Sequence, residues 1–475
     1  MGLSNWKNNS YYYKNLCRYS RVFFLSMILA ICCTLITYPG IFYSDSYTRI
    51  HISTEIMYGD KDIHSWLTPV PSYFMAVCTF LTGNIAFYTF LQAFVFFSIT
   101  FLYVIRLSSN YRRLQIILAI ISPMIWGVTT YYEAGVGCVT GIAALILLIS
   151  SLSTEKSRAD RIIEFMLICF FSFVTFGYRA NAFTILPVVI AALLFGKYKR
   201  NIKILGICAI IAGYILVSIS AAVLRIDTMS SKSAGFVWET LTAINELEPE
   251  DKEMYKDWFD EIAGPGATEQ ALEMNIKSSV NGFVWDSKLN TDSLSKPDAF
   301  SVTMKQYLSF IKEEPKAYIK VKTDFISRTL GISAPINFCE YDYNRNDIMD
   351  IYHFSDSFNR RMYLNTYTTF MEAMGFFVLR PYIVFLLTAV LVMYSFKKKD
   401  KDRYLFLLVL MVAVFYYGAF VINTQSFEIR YFYPSLYLMA VMDTALIADF
   451  VHSLSERSSK HRERIAEKTV SEKKK

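Results

Sequence analysis

Apolar positions gather into ten runs long enough to be taken as helices crossing about 30 Å of hydrocarbon. They cover 22–38, 84–105, 114–131, 134–152, 162–178, 182–195, 204–224, 376–396, 404–423 and 431–450. Cationic clusters lie between them: Lys14/Arg18/Arg21, Arg106/Arg112/Arg113, Lys156/Arg158/Arg161, Lys197/Lys199/Arg200/Lys203, 397–403 and the tail from Arg457. Under the positive-inside bias these clusters all face the cytoplasm, so both chain ends lie inside. The run 69–81 is apolar but short, and a span there would throw the later clusters outside. It is expected to be an interfacial or re-entrant helix on the outer face. The run 182–195 is also short, and tilt or bilayer thinning completes it.

The pattern changes once, between 225 and 375, where polar residues dominate and apolar ones recur at three- and four-residue steps over 236–247, 251–262, 299–311 and 315–330. This is the one place for a folded, mostly helical extracytoplasmic insertion. Segments 264–266 and 293–297 are expected to be loops. In the last helical stretch Tyr318, Val321, Phe325 and Leu330 share one face and Lys316, Lys320 and Lys322 the other. That pattern fits a helix lying on the membrane surface and equally an ordinary amphipathic helix of a folded domain. The chain thus divides into an N-terminal membrane region (1–224) with a first outer loop (39–83), the insertion (225–375), C-terminal membrane helices (376–450) and a basic cytoplasmic tail (451–475). The expected fold is an all-α polytopic membrane protein with about ten spans.

Composition agrees: 54% hydrophobic and only 19% charged residues place the 475-residue chain outside the soluble class. Its net charge of +7 sits beside span ends, where it meets lipid headgroups, so nucleic-acid binding is excluded as a partner class. Seven of the eight cysteines fall in or beside the spans, leaving Cys339 in the polar segment, and no disulfide framework is implied. The basic, then apolar N-terminus lacks a small-x-small cleavage pattern and is expected to remain as an anchor.

The candidate chemistry collects at outer span ends. The first loop is densest, with Asp45, Arg49, His51, Glu55, Asp60, Asp62, His64 and Trp66. A lone carboxylate such as Asp45 would ordinarily be a solvated turn residue. Arg179 and Arg430 are rare cations on outer turns. A guanidinium fork can grip phosphate oxygens in two parallel bonds, which suits a carrier phosphate at the membrane surface; the ordinary alternative is an arginine snorkelling to headgroups. Asp60, Asp62 and His64 offer oxygen and imidazole ligands for a divalent metal ion, the one candidate cofactor, although such a run is more often a solvated loop. Glu133 is a turn residue and a lesser candidate for substrate contact, as are Arg49, His64 and Trp66; an aromatic near the cavity can stack on a sugar ring.

Four stretches carry a family likeness: 38–47 (YPGIFYSDSY) at the outer end of the first span, 64–69 (HSWLTP), 177–182 (GYRANA) and 428–434 (EIRYFYP). Together they resemble the GT-C superfamily of integral membrane glycosyltransferases, which take a sugar from a polyprenyl-phosphate carrier on the outer face. The resemblance implies that Asp45, at the start of the first outer loop, is the general base. It also implies a polyprenyl-phosphate-linked sugar donor, a cell-envelope glycan or glycopolymer acceptor and inversion at the anomeric carbon. It covers the membrane half and hardly touches the insertion, which interrupts the spans where the family often carries a C-terminal domain. Two other classes fit a many-span chain with one large external segment: a polysaccharide polymerase or ligase acting on lipid-linked glycans, and a lipid-linked sugar transporter. The transporter would carry repeats and charges along a central path. No repeat is found, and the charges in the spans are Glu164, Asp443 and Asp449 near inner ends.

Overall fold

A computed structural model describes residues 3–40, 44–59, 63–65, 67–108, 111–119, 133–154, 156–224, 226–228, 232–275, 279–337, 362, 365, 366, 369 and 379–472. The N-terminal membrane region runs through α1 (Leu3–Thr37), α2 (Ser44–Tyr58), α3 (Val70–Thr82), α4 (Ala86–Leu107), α5 (111–119), α6 (Glu133–Ser151), α7 (Arg158–Tyr178), α8 (Leu186–Phe195) and α9 (Arg200–Val223). The insertion holds α10 (Lys232–Ile244), the short helices α11 (Pro249–Lys252) and α12 (Asp260–Ala263), then α13 (Ala267–Met274), α14 (Asn281–Asp286), α15 (Thr291–Leu294), α16 (Ala299–Glu313) and α17 (Pro315–Thr329). Helices α18 (Pro381–Lys397), α19 (Arg403–Ile422) and α20 (Ile429–Glu472) complete the bundle.

The protein is a helical membrane protein. Among the described residues six helices are long and apolar enough to cross a bilayer: Cys17–Thr37, Ala86–Leu107, Ala134–Ser151, Arg200–Val223, Arg403–Ile422 and Ile429–Ser455. The expected span at 162–178 is helical as α7, with Arg161 and Glu164 in its first turns. The span expected over 114–131 falls largely outside the described residues. The runs expected at 182–195 and 376–396 give shorter helices: the first starts as a 3-10 turn over Ala180–Ile185, and the second begins only at Pro381, whose fixed φ suits a first helical position.

Local structure in three stretches differs from the sequence pattern. The helix expected over 69–81 is α3, at 70–82, and the first loop also holds α2, at 44–58, which the sequence pattern does not predict. The polar residues of α2 mask two buried sides, Tyr47 and Ile50 packing toward α3 and α4, and Ile52 toward Ile63 and Ile226. Over the basic 451–475 segment, helix α20 continues to Glu472. The stretch 251–262 is broken rather than one helix, with a 3-10 turn at Glu253–Tyr255 between α11 and α12. As for 315–330, α17 buries Val321 and Phe325 in the insertion's own core, the ordinary amphipathic alternative.

Two cores result. The larger fills the bundle; the second fills the insertion around Trp238, Phe259, Phe283, Phe310 and Phe325. Phe427, from the turn between α19 and α20, belongs to the second core, with ring centroids 5.6 Å from Trp238 and 5.4 Å from Phe325. The turn is held on both sides by backbone bonds. Val280 N–H donates to Gln425 O (2.9 Å), Asn337 N–H to Phe427 O (2.7 Å), and Ile429 N–H to Asn337 O (2.9 Å). A third tie is a parallel pair of three-residue strands, β1 (Ile63–Ser65) and β2 (Ile226–Thr228), which joins the α2–α3 connection to the start of the insertion.

At the opposite end of the bundle the cationic clusters find partners: Arg106 with Asp402 at 2.7 Å, Arg161 with Glu164 at 2.6 Å, and Arg18 donating to Ile105 O at 3.1 Å. The basic end and the insertion end are therefore distinct.

Candidate functional site

A polar cavity of about 480 Å³ opens where the first loop, the end of α7, the start of α20 and the insertion meet. Asp45, Arg49, Arg179 and Arg430 all line it. Four residues from three stretches widely separated in sequence thus share one space.

Each is placed by local structure. Asp45 sits in the first turn of α2, where the positive end of the helix dipole favours a carboxylate. Arg49 follows four residues later and projects from the same face. It is 2% exposed, and its Nη1 donates to Thr68 O at 2.9 Å, bridging α2 to the turn before α3. Thr68 in turn donates through its hydroxyl to Tyr178 O at 3.0 Å. Tyr178 and Arg179 close α7, and two glycines let that end pack tightly. A Cβ on Gly177 would come within 2.4 Å of Val70, and one on Gly137 within 2.0 Å of the Tyr178 ring.

Arg430 lies in the first turn of α20, 3% exposed. Its Nη1 contacts Asp45 Oδ2 at 2.9 Å and its Nε lies 2.7 Å from Glu428 Oε2. A cation this buried needs compensating charge, and two carboxylates supply it. Arg179 and Arg430 both sit over the ring of Tyr431, with guanidinium carbons 5.3 and 5.0 Å from its centroid. Pro434 completes the arrangement. Lacking an N–H, it leaves the Arg430 carbonyl without its helical donor four residues on, and Arg179 Nη2 donates to that oxygen at 3.3 Å.

The cavity side is net positive: three arginines face Asp45, with Glu428 behind Arg430. Such a site can hold an anionic group against the guanidinium forks and keep one carboxylate beside it. The turn over 423–428 is positioned by the insertion as well. Glu239 is 1% exposed, accepts from Thr424 N–H at 3.3 Å and pairs with Lys322 Nζ at 2.6 Å. Burial pushes the Glu239 carboxyl above its ordinary range, and the Lys322 charge opposes that shift.

Several other sequence candidates are not among the described residues. Asp60, Asp62 and Trp66 lie outside the described residues, as do the side chains of His64 and Glu133; the backbone of His64 is in β1, and Glu133 is the first residue of α6. Among the described residues no group of three His, Cys, Asp or Glu side chains is placed to hold a metal ion. His51 is exposed and pairs with Glu55 at 3.3 Å; neither lines the cavity. The cavity also contains residues with no sequence signal of their own: Thr48 and Gln425, and from α14 of the insertion Asn281 and Trp285. Asn181 and Tyr178 flank Arg179 in a stretch that sequence alone picks out. The α14 pair could be found only through long-range backbone bonds. No protein-family model, curated protein or solved structure matches the chain.

Proposed function

We propose that this protein transfers a sugar from a polyprenyl-phosphate carrier to a cell-envelope glycan at the outer face of the membrane, with inversion at the anomeric carbon. The observation that carries the reading is the meeting of Asp45 with Arg430, Arg179 and Arg49 in one cavity at the insertion end of the bundle. An acceptor hydroxyl is a poor nucleophile until its proton is removed, and Asp45 is the base in place to take it. The acceptor oxygen then bonds to the anomeric carbon as the carbon–oxygen bond to the carrier phosphate breaks. The electron pair leaves on the phosphate, and the Arg179 and Arg430 guanidinium groups stabilise the charge that grows there.

Arg430 also has a second role in this scheme. Its bond to Asp45 Oδ2 fixes the carboxylate relative to the phosphate it helps to hold, so base and leaving group are positioned by one side chain. The separation of the cavity from the basic end fits a one-sided reaction with the cationic clusters in the cytoplasm. The test is reconstitution of the whole chain in nanodiscs with a panel of polyprenyl-phosphate sugars, following both sugar release from the carrier and its appearance on envelope glycan. Turnover of a lipid-linked oligosaccharide with none of the polyprenyl-monophosphate sugars would replace this reading with a polymerase or ligase.

A further inference from the structure

We propose that Trp285, with Asn281 one turn before it and Gln425 on the adjoining turn, forms a pyranose-binding platform for the acceptor glycan. The platform rests on the transferase reading above and gives its acceptor site a location. Trp285 is 60% exposed even though the insertion has a packed aromatic core within the same short helix, where Phe283 is 1% exposed. A single exposed apolar side chain needs no explanation by itself; what marks Trp285 is the character of its surroundings. Here they are polar: Asn281, Gln425, Asn181 and Thr48 line the same cavity. Tryptophans of a membrane aromatic belt sit instead on apolar surface at headgroup level.

The chemistry matches a sugar ring. One face of a pyranose is a patch of C–H groups that lies flat on an aromatic plane, while its hydroxyls radiate sideways to amide donors and acceptors. Trp285 supplies the plane; Asn281 and Gln425 each supply an N–H₂ and a carbonyl oxygen. The platform is anchored to the reaction centre by backbone. The bond from Val280 N–H to Gln425 O, 2.9 Å, fixes the entry to α14 against the turn that continues into Glu428 and Arg430. A glycan held at Trp285 therefore enters from the insertion side, and Arg179 and Arg430 hold the donor phosphate on the bundle side.

The test reads binding without turnover. Whole protein in nanodiscs of deuterated lipid is titrated with a set of gluco-, galacto- and manno-configured disaccharides, followed by saturation-transfer NMR. Trp285→Ala is expected to weaken binding of the preferred sugar about threefold to tenfold, the size of one aromatic stacking contact, with Trp285→Phe in between and thermal unfolding unchanged. In 5-fluorotryptophan protein, the ¹⁹F resonance that vanishes in Trp285→Phe should shift with sugar. Equal binding by wild type and Trp285→Ala overturns the platform. So does a resonance that ignores sugar and broadens with spin-labelled lipid, which would make Trp285 a membrane anchor. Because sugar binding is read without transfer, failure of the transferase assay and loss of the platform are separate results.

Discussion

Asp45→Asn separates chemistry from architecture, and the geometry sets both magnitudes. The side chain is 24% exposed and its partner Arg430 only 4%. Two unit charges about 4 Å apart attract by about 4 kcal/mol at an effective dielectric of 20. Desolvation offsets much of that, the amide oxygen of asparagine still accepts from Nη1, and Glu428 remains 2.7 Å from Nε. The net loss of stability is therefore about 1–2 kcal/mol. Removal of a positioned general base costs about a hundredfold to ten-thousandfold in rate, or roughly 3–5 kcal/mol on the barrier. The catalytic effect is the larger, and partial unfolding cannot imitate it in protein that stays folded. The assay compares wild type and Asp45→Asn in nanodiscs, measuring donor binding, single-turnover transfer and thermal unfolding on the same preparation. The variant should bind donor, unfold slightly earlier and transfer at less than a hundredth of the normal rate. Because Asp45 and Arg430 act as one unit, Asp45→Asn/Arg430→Gln should be hardly slower than the slower single variant. A rate within tenfold of wild type would refute Asp45 as the base.

Arg179→Lys keeps the charge but loses the fork, so donor affinity should fall about tenfold, checked by equilibrium binding; unchanged affinity would assign Arg179 to headgroup anchoring. Lys322→Met strands the buried Glu239 carboxylate and should cost about 3 kcal/mol at neutral pH, seen as an earlier unfolding transition. Because the Glu239 pKa is raised in the folded state, its ionisation opposes folding as pH climbs above the ordinary 4.5. The Lys322→Met defect should accordingly shrink at acid pH, and a defect of constant size from pH 5 to 8 would reject the assignment. Reporter fusions after Arg161, Arg200 and Lys401 should report cytoplasm and a fusion after Asp286 the exterior; a cytoplasmic signal after Asp286 would put the cavity on the wrong side of the bilayer for an outer-face transferase.

What could be read from sequence was local. Long apolar runs and nearby cations announce span ends, so Asp45, Arg49, Arg179 and Arg430 could be singled out from where they fall. That they line one cavity could not be read: it depends on the approach of α7 to α3 at Gly177 and on Pro434 exposing a carbonyl to Arg179. Helix α2 was hidden because its polar face is rich in Ser, Thr, Asp, His and Glu, residues equally at home in loops. Sequence offers Trp66, near Asp45, as a stacking aromatic and carries no sign of Trp285, which lines the cavity from 240 residues away and is tied there by the backbone bond from Val280 to Gln425. Periodicity carries no information about such pairings.

The ties that run through the turn over 423–428 also decide what kind of unit the insertion is. Its borders near 225 and 375 are borders in sequence alone, since Phe427 completes its core and β2 completes a sheet with β1. A fragment cut at those borders would leave Trp238 and Phe325 facing a vacant place, and the bundle left behind would lose the brace that orients Gln425 and Glu428. The soluble and membrane halves are thus not separable modules. They should unfold in one transition, and an insertion could be exchanged between proteins only if 63–65 and 423–429 travelled with it. Inheritance of this architecture is consequently tied across three distant stretches, each of which restricts what the other two can become.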